Sequence, residues 1–269
     1  MVWAHQTIGG RRLIDNRFFL IIAILLSLQL GVSDAFALAA GSSSYALQAG
    51  AFGDDASKGN VGVKVNISTH IEDLAASDYD HSFWVGNNLA NGAFIQFGYA
   101  LMKPGYYCLH RGTAREASPC LSQHIESGDA RWFWQYWPNI NVPEYYYGIG
   151  AAYSAGAEGT WHTYAMVLNA STGWNFVLDD RVVDELDVGV VSSRDAVYVA
   201  AEVVTASPSA ARSFGPVEFS NVSYSDTNGW HQVRSLTAVS GCGLSSANCN
   251  VPYVAEVVGP NHIVIINKK

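Results

Sequence analysis

Several things are scarce in this sequence, and each shortage narrows what the chain can be. Charged residues make up 14% of its 269 residues, and only five are Lys. With Lys plus Arg at 15 and Asp plus Glu at 23, the formal net charge is −8, so nucleic acid and anionic membrane surfaces are poor partners. No stretch carries an apolar 3.6-residue repeat through three turns, which argues against a helical fold. Internal repeats are absent. So are the Gly-x-Ser-x-Gly elbow, His-Glu-x-x-His and any Gly-rich phosphate loop, which removes the usual serine-hydrolase, zinc-peptidase and nucleotide-binding signatures. The four Cys form no Cys-x-x-Cys or Cys/His cluster, so no metal site and no cofactor are expected of them.

What is present begins with a leader. Arg11, Arg12 and Arg17 precede an apolar run from Phe18 to Val32, and Ala35-Phe-Ala-Leu-Ala-Ala40 follows. Basic, apolar, then Ala-x-Ala is the order of a signal peptide, and the run is short for a membrane span of about 20 residues. Residues 1–39 therefore read as a signal peptide, with an uncleaved anchor as the alternative. Either way the protein is expected to be secreted or at the cell surface. Losing residues 1–39 takes Lys plus Arg from 15 to 12 and Asp plus Glu from 23 to 21, so the charge moves to −9.

In an oxidising compartment the Cys pair most simply by proximity, Cys108 with Cys120 and Cys242 with Cys249. Asn66, Asn169 and Asn221 sit in sequons and are candidate glycosylation sites.

Residues 40–60 are small, polar and Gly-rich and read as a flexible lead-in. From Val61 onward, about ten short β-type runs alternate with Gly, Asn, Asp and Pro, the pattern of a sandwich or barrel. A β-sandwich domain over 61–226 and a C-terminal β extension over 227–269, with a disulfide loop, are the expected division. Gly159-Thr-Trp-His-Thr-Tyr164 and Gly173–Asp180 look like a hairpin of the concanavalin-like jelly roll, closed by an Asp-Asp turn before the short strand Arg181–Leu186.

Aromatic residues number 33, more than one core needs. In a strand, Trp132, Trp134 and Tyr136 point to one face and Phe133, Gln135 and Trp137 to the other. One face can fill the core and the other can line a groove, with Trp84, Trp132, Trp134 and Gln135 as candidate wall residues for a polypeptide or glycan polymer.

Two acidic clusters stand out. Glu185-Leu-Asp187 starts like the carboxylate strand of sandwich-fold glycanases, but Gly189 and Val190 stand where a third acid belongs. Asp78-Tyr-Asp80-His81 reads as a solvated loop rather than a metal site.

One resemblance is more specific. Phe83-Trp84-Val-Gly86, Ala93-Phe-Ile-Gln96-Phe-Gly98 and Trp132-Phe-Trp-Gln-Tyr-Trp-Pro138 occur in that order, and Phe214-Gly-Pro-Val-Glu-Phe219 follows later. This ordered set resembles the eqolisin (glutamic peptidase) family, an all-β, concanavalin-like sandwich of two antiparallel sheets. The resemblance implies a Gln/Glu dyad in which the carboxylate takes a proton from water and the amide stabilises the oxyanion. Carried over, the Gln is Gln96 and the groove Trp is Trp84. The Glu depends on register: one alignment puts Glu202 at the catalytic position, and another puts Ala206 there and leaves the enzyme disarmed. Gln135 also stands where the family carries Glu.

Three functions follow: a secreted acid endopeptidase without cofactor, a non-catalytic sandwich binding glycan or peptide, or a cell-surface structural protein. A peptidase would need Gln96 and Glu202 within about 5 Å across adjacent strands, sharing a water.

Overall fold

Alternation of apolar and small or polar residues, broken every few residues by turn formers, leaves this chain little option but strands. The computed structural model describes residues 45–53, 59–76, 78–109, 121–125, 129–139, 146–194, 197–205, 215–242 and 251–268. Among these there is no helix, and so none long and apolar enough to cross a membrane.

The strands in chain order are β1 (Tyr45–Gly53), β2 (Gly62–Ser68), β3 (Asp78–Asn88), β4 (Phe94–Met102), β5 (Gly105–Leu109) and β6 (Leu121–Ile125). There follow β7 (Ala130–Trp137), β8 (Tyr146–Ile149), β9 (Trp161–Asn169), β10 (Gly173–Leu178), β11 (Arg181–Asp187) and β12 (Tyr198–Thr205). The last five are β13 (Val217–Asp226), β14 (Gly229–Gln232), β15 (Leu236–Cys242), β16 (Tyr253–Gly259) and β17 (His262–Asn267).

One sheet has seven strands in the order β15-β1-β12-β3-β4-β7-β8. The other has eight, β11-β10-β9-β2-β13-β17-β16 with β14 also on β13, and β5 and β6 form a separate hairpin. All registered pairs are antiparallel. This is the expected two-sheet sandwich, and the hairpin is where the sequence placed it. β9, β10 and β11 run as a meander whose last turn sets Asp179 and Asp180 at φ of 47° and 64°.

Residue parity divides the side chains. Leu47, Ala49, Phe83, Val85, Phe97, Tyr99, Val199 and Val203 fill the space between the sheets with Val63, Val65, Tyr164, Phe176 and Ile265. The opposite face of the seven-stranded sheet carries a second buried cluster that includes Trp84, Phe94, Phe133, Trp137, Tyr147 and Tyr198. The approach of β3 to β4 is close enough to require glycine: a Cβ on Gly98 would lie 1.9 Å from the Phe83 carbonyl oxygen.

Two expected boundaries need correction. Residues 40–60 are not simply a lead-in, because β1 lies inside the seven-stranded sheet between β12 and β15. Its core-facing residues Leu47, Ala49 and Ala51 do alternate, but Ala and Gly are too weakly apolar to read as a strand. Residues 227–269 are not an appendage either. β15 pairs with β1, while β17 pairs with β13 and β16, so the C-terminal strands complete both sheets of one sandwich. The proposed signal peptide lies outside the described residues, as do Cys120, Cys249 and Ala206.

Candidate functional site: a polar seam on the seven-stranded sheet

The motif-bearing strands β3, β4 and β7 are consecutive neighbours in the seven-stranded sheet, with β12 beside β3. Cross-strand register then fixes which side chains share a face. One row across the sheet is Tyr198–Gly86–Gln96–Gln135–Tyr147, and another is Gln48–Glu202–Ser82–Ala100–Arg131. Both rows point to the outer face of the sheet, away from the inter-sheet core.

Gln96 and Glu202 therefore share a face but not a site. β3 lies between their strands, and the residue level with Gln96 on β12 is Tyr198, four residues before Glu202. At a strand spacing of about 4.8 Å and a rise of about 3.3 Å per residue, their Cα atoms are about 16 Å apart. The structure does not assemble the expected 5 Å pair.

Each residue has another partner. Gln96 Nε2 donates to Gln135 Oε1 at 2.6 Å, and both side chains are buried. The remaining ends of this amide pair, Gln96 Oε1 and Gln135 Nε2, are buried without a hydrogen-bond partner. Exchanging O and N in both amides would still leave one free donor and one free acceptor. Glu202 accepts from Gln48 Nε2 on β1. Burial pushes its carboxyl up to about 8, against the lowering effect of that hydrogen bond. Gln48 carries no local signal in the sequence, because β1 itself does not read as a strand.

Asp80 stands on the same face of β3, opposite Val204 and diagonal to Glu202. Burial raises its carboxyl well above the usual range, and the charges of Glu202 and Asp78 add to that. Both of its oxygens lack a hydrogen-bond partner. His81 takes the opposite parity, with Nδ1 2.7 Å from Glu72 and Nε2 3.0 Å from Asp78. Asp78, Asp80 and His81 are thus buried in β3 rather than in a solvated loop. His81 meets Asp78, Asp80 bonds to neither, and among the described residues no group of three acids or His could hold a metal.

The candidate groove residues divide as parity requires. Trp84 and Gln135 lie on the outer face with Gln96, and Trp84 Nε1 is buried without a partner. Trp134 is a core residue instead. It stacks on Phe176 of β10 at 4.9 Å and 4°, and its Nε1 donates to Asp184 at 2.8 Å. Trp132 packs against the same inter-sheet core. These two cannot line a groove on the outer face. Trp84 is itself covered by packing, edge-on to Phe94 at 5.8 Å.

No protein-family model matches the chain, and no curated protein matches it. Solved structures do. Scytalido-glutamic peptidase with a peptide based transition state analog superposes with a TM-score of 0.51 at 13% identity, covering 83% of this chain and 98% of that one. SCP-B, a member of the Eqolisin family of peptidases in a complex with the tripeptide Ala-Ile-His, gives 0.47 at 12% identity, over 85% and 100% of the two chains. Scytalido-glutamic peptidase with a transition state analog inhibitor gives 0.48 at 16% identity, over 83% and 98%. The ordered motifs and the first of these superpositions agree on architecture: the chain has the β-sandwich fold of Scytalido-glutamic peptidase.

Proposed function

We propose that the protein is a secreted polypeptide-binding sandwich, built on the fold of a glutamic endopeptidase, that holds its ligand without cleaving it. The observation that carries this reading is where unsatisfied polarity collects. Among the described residues, eight buried side-chain polar atoms lack a hydrogen-bond partner, and six of them belong to Asp80, Trp84, Gln96, Arg131 and Gln135. By register all five residues share the outer face of the seven-stranded sheet. An unpaired buried donor or acceptor costs about 1–3 kcal/mol, and a face that gathers several is organised for something other than stability. The free acceptor of Gln96 and the free donor of Gln135 stand side by side, complementary to the N–H and C=O of a peptide group. The named ligand of the structure that superposes at a TM-score of 0.51, a peptide based transition state analog, supports the same ligand class.

Two features speak against hydrolysis. Gln96 faces an amide and Tyr198 rather than a carboxylate. Glu202, raised to about 8, is protonated in acid and cannot take a proton from water there. The peptidase reading survives in one form, because Gln48 and Glu202 place an amide and a carboxyl on adjacent strands. Secretion rests on the leader at residues 1–39.

The test is fluorescence-anisotropy binding of a library of unstructured decapeptides to wild type and to the double variant Gln96→Leu with Gln135→Leu. Peptides should bind wild type, emerge intact by mass spectrometry, and lose affinity for the variant by about tenfold or more. Unchanged binding by the variant would remove this pair from the site.

A further inference from the structure

The eight-stranded sheet carries a separate feature on its outer face. There β2, β9, β13 and β14 enclose a cleft of about 330 Å³. Its aromatic wall is Trp230 on β14, which is 42% exposed. The indole is seated above Gly62, where a Cβ would come within 3.1 Å of the ring edge. Lys64 Nζ lies 4.4 Å from the ring centroid, a cation–π contact that steadies the indole. The remaining lining is polar and includes Asn66, Asp180, Asn221 and His231, with no aliphatic side chain among the described residues.

These groups are arranged to receive hydroxyls. Thr163 Oγ1 donates to Asn66 Oδ1 at 2.9 Å, which fixes the amide and leaves its Nδ2 to donate elsewhere. His231 Nε2 is 2.9 Å from Asp226 Oδ1, so its other ring nitrogen is left for a ligand. Asp180 supplies a carboxylate acceptor at the turn after β10.

A half-exposed indole, with the Lys64 ammonium over one face and amide, carboxylate and imidazole groups beside it, matches one ligand class. A pyranose ring offers an apolar C–H face to the indole and a ring of hydroxyls to the polar groups. Acyl chains and apolar peptide side chains would need aliphatic walls, which this cleft does not have. Two of the three sequon residues, Asn66 and Asn221, also line it, so a sugar attached to either would begin beside Trp230.

We propose that this cleft is a sugar-binding site in which a pyranose ring stacks on Trp230 and hydrogen-bonds to Asn66, Asp180 and His231. The ring belongs either to a free glycan chain or to an N-linked glycan of this protein. The proposal lies on the other sheet from Gln96 and does not depend on the peptide-binding reading.

Two arms of one experiment separate the sources, both read from the indole N–H resonance of Trp230, assigned with Trp230→Phe. In the first, unglycosylated protein from a bacterial periplasm is titrated with chitotetraose, cellotetraose and mannotetraose. A free-glycan site gives a saturable shift at millimolar sugar, and titration calorimetry, which does not need the indole, shows Trp230→Ala binding about tenfold or more weaker without unfolding. In the second, protein secreted by a eukaryotic host is compared before and after enzymatic removal of N-glycans. An intramolecular site gives a resonance that returns to the unglycosylated position on deglycosylation. A resonance unmoved in both arms overturns the proposal, as does sugar binding that survives Trp230→Ala.

Discussion

At the scale of single residues, the Gln96–Gln135 pair makes opposite predictions for single and double substitutions. Gln135→Leu removes the acceptor of Gln96 and leaves that whole amide buried and unpaired, a loss of about 1–3 kcal/mol. Changing both to Leu removes every unpaired polar atom of the pair and fills a similar volume. The double variant should be no less stable than wild type in urea unfolding, and up to about 1–2 kcal/mol more stable. If it is less stable than the single variant, the amides are serving the fold rather than a ligand. Glu202 gives a second test, through pH. Its pKa rises from an unfolded value of 4.5 to about 8 in the fold, so the folded state binds more protons between those limits. Stability on its account is full below pH 4.5 and is lost as pH rises through 8, at up to about 1.4 kcal/mol per unit. Glu202→Gln keeps an acceptor for Gln48 and has no proton to lose. The variant should match wild type at pH 5 and exceed it in urea midpoint at about pH 8; equal midpoints at both pH values would contradict the burial argument.

At the scale of elements, what could be read in advance depended on how strongly a strand announces itself. β9 and β10 alternate bulky apolar residues and end on Asp179-Asp180, so their pairing was legible from local chemistry alone. β1 was not, because its inward residues after Leu47 are Ala49 and Ala51 and its burial comes entirely from neighbours far away in sequence. The same limit applies to the site. Gln96, Gln135 and Trp84 could be picked out by motif and face. That Tyr198, not Glu202, stands level with Gln96 is a matter of long-range register, which no local pattern encodes. Gly98 makes the register testable. Gly98→Ala places a Cβ against the Phe83 carbonyl, which is backbone and cannot swing aside, so a loss of about 3 kcal/mol or more is expected; a loss near zero would mean β3 and β4 are not this close. The hairpin β5–β6 brackets the segment between Cys108 and Cys120. Non-reducing peptide mapping should recover Cys108 linked to Cys120 and Cys242 linked to Cys249, loops worth roughly 2–3 kcal/mol each. A link from one pair to the other would contradict local pairing.

At the scale of the whole molecule, the fold favours mild acid, although peptide binding alone does not require it. Each His whose side chain is described has a carboxylate partner: His70 with Glu158, His81 with Glu72, His162 with Asp179, His231 with Asp226, and His262 with Glu218. The Glu72 carboxylate, 3.6 Å from Nε2, leads the rise of His70, with burial opposing it and Glu158 adding to it, while at His81 burial opposes the charge and Asp78 with Glu72 outweigh it. A raised His stabilises the fold below its unfolded pKa of 6.5, and that contribution is lost as pH climbs through the folded value. Glu202 and Asp80 act in the same direction. Glu72 acts in the other: burial works against its charge, but His70 and His81 hold it below 4.5, so its contribution disappears in strong acid. Thermal stability should therefore peak at about pH 5 and decline toward alkaline pH.

Such acid stability would suit an acid peptidase as well as a binding protein, so it cannot decide between them. Cleavage can. The most direct measurement is proteolysis of denatured casein by the folded protein over an acid-to-neutral pH series, with Glu202→Gln and Gln96→Ala alongside. No cleavage above background is expected at any pH, and no difference among the three proteins. Cleavage in acid that disappears in Glu202→Gln would contradict it, and would make the carboxyl beside Gln48 a working catalytic group.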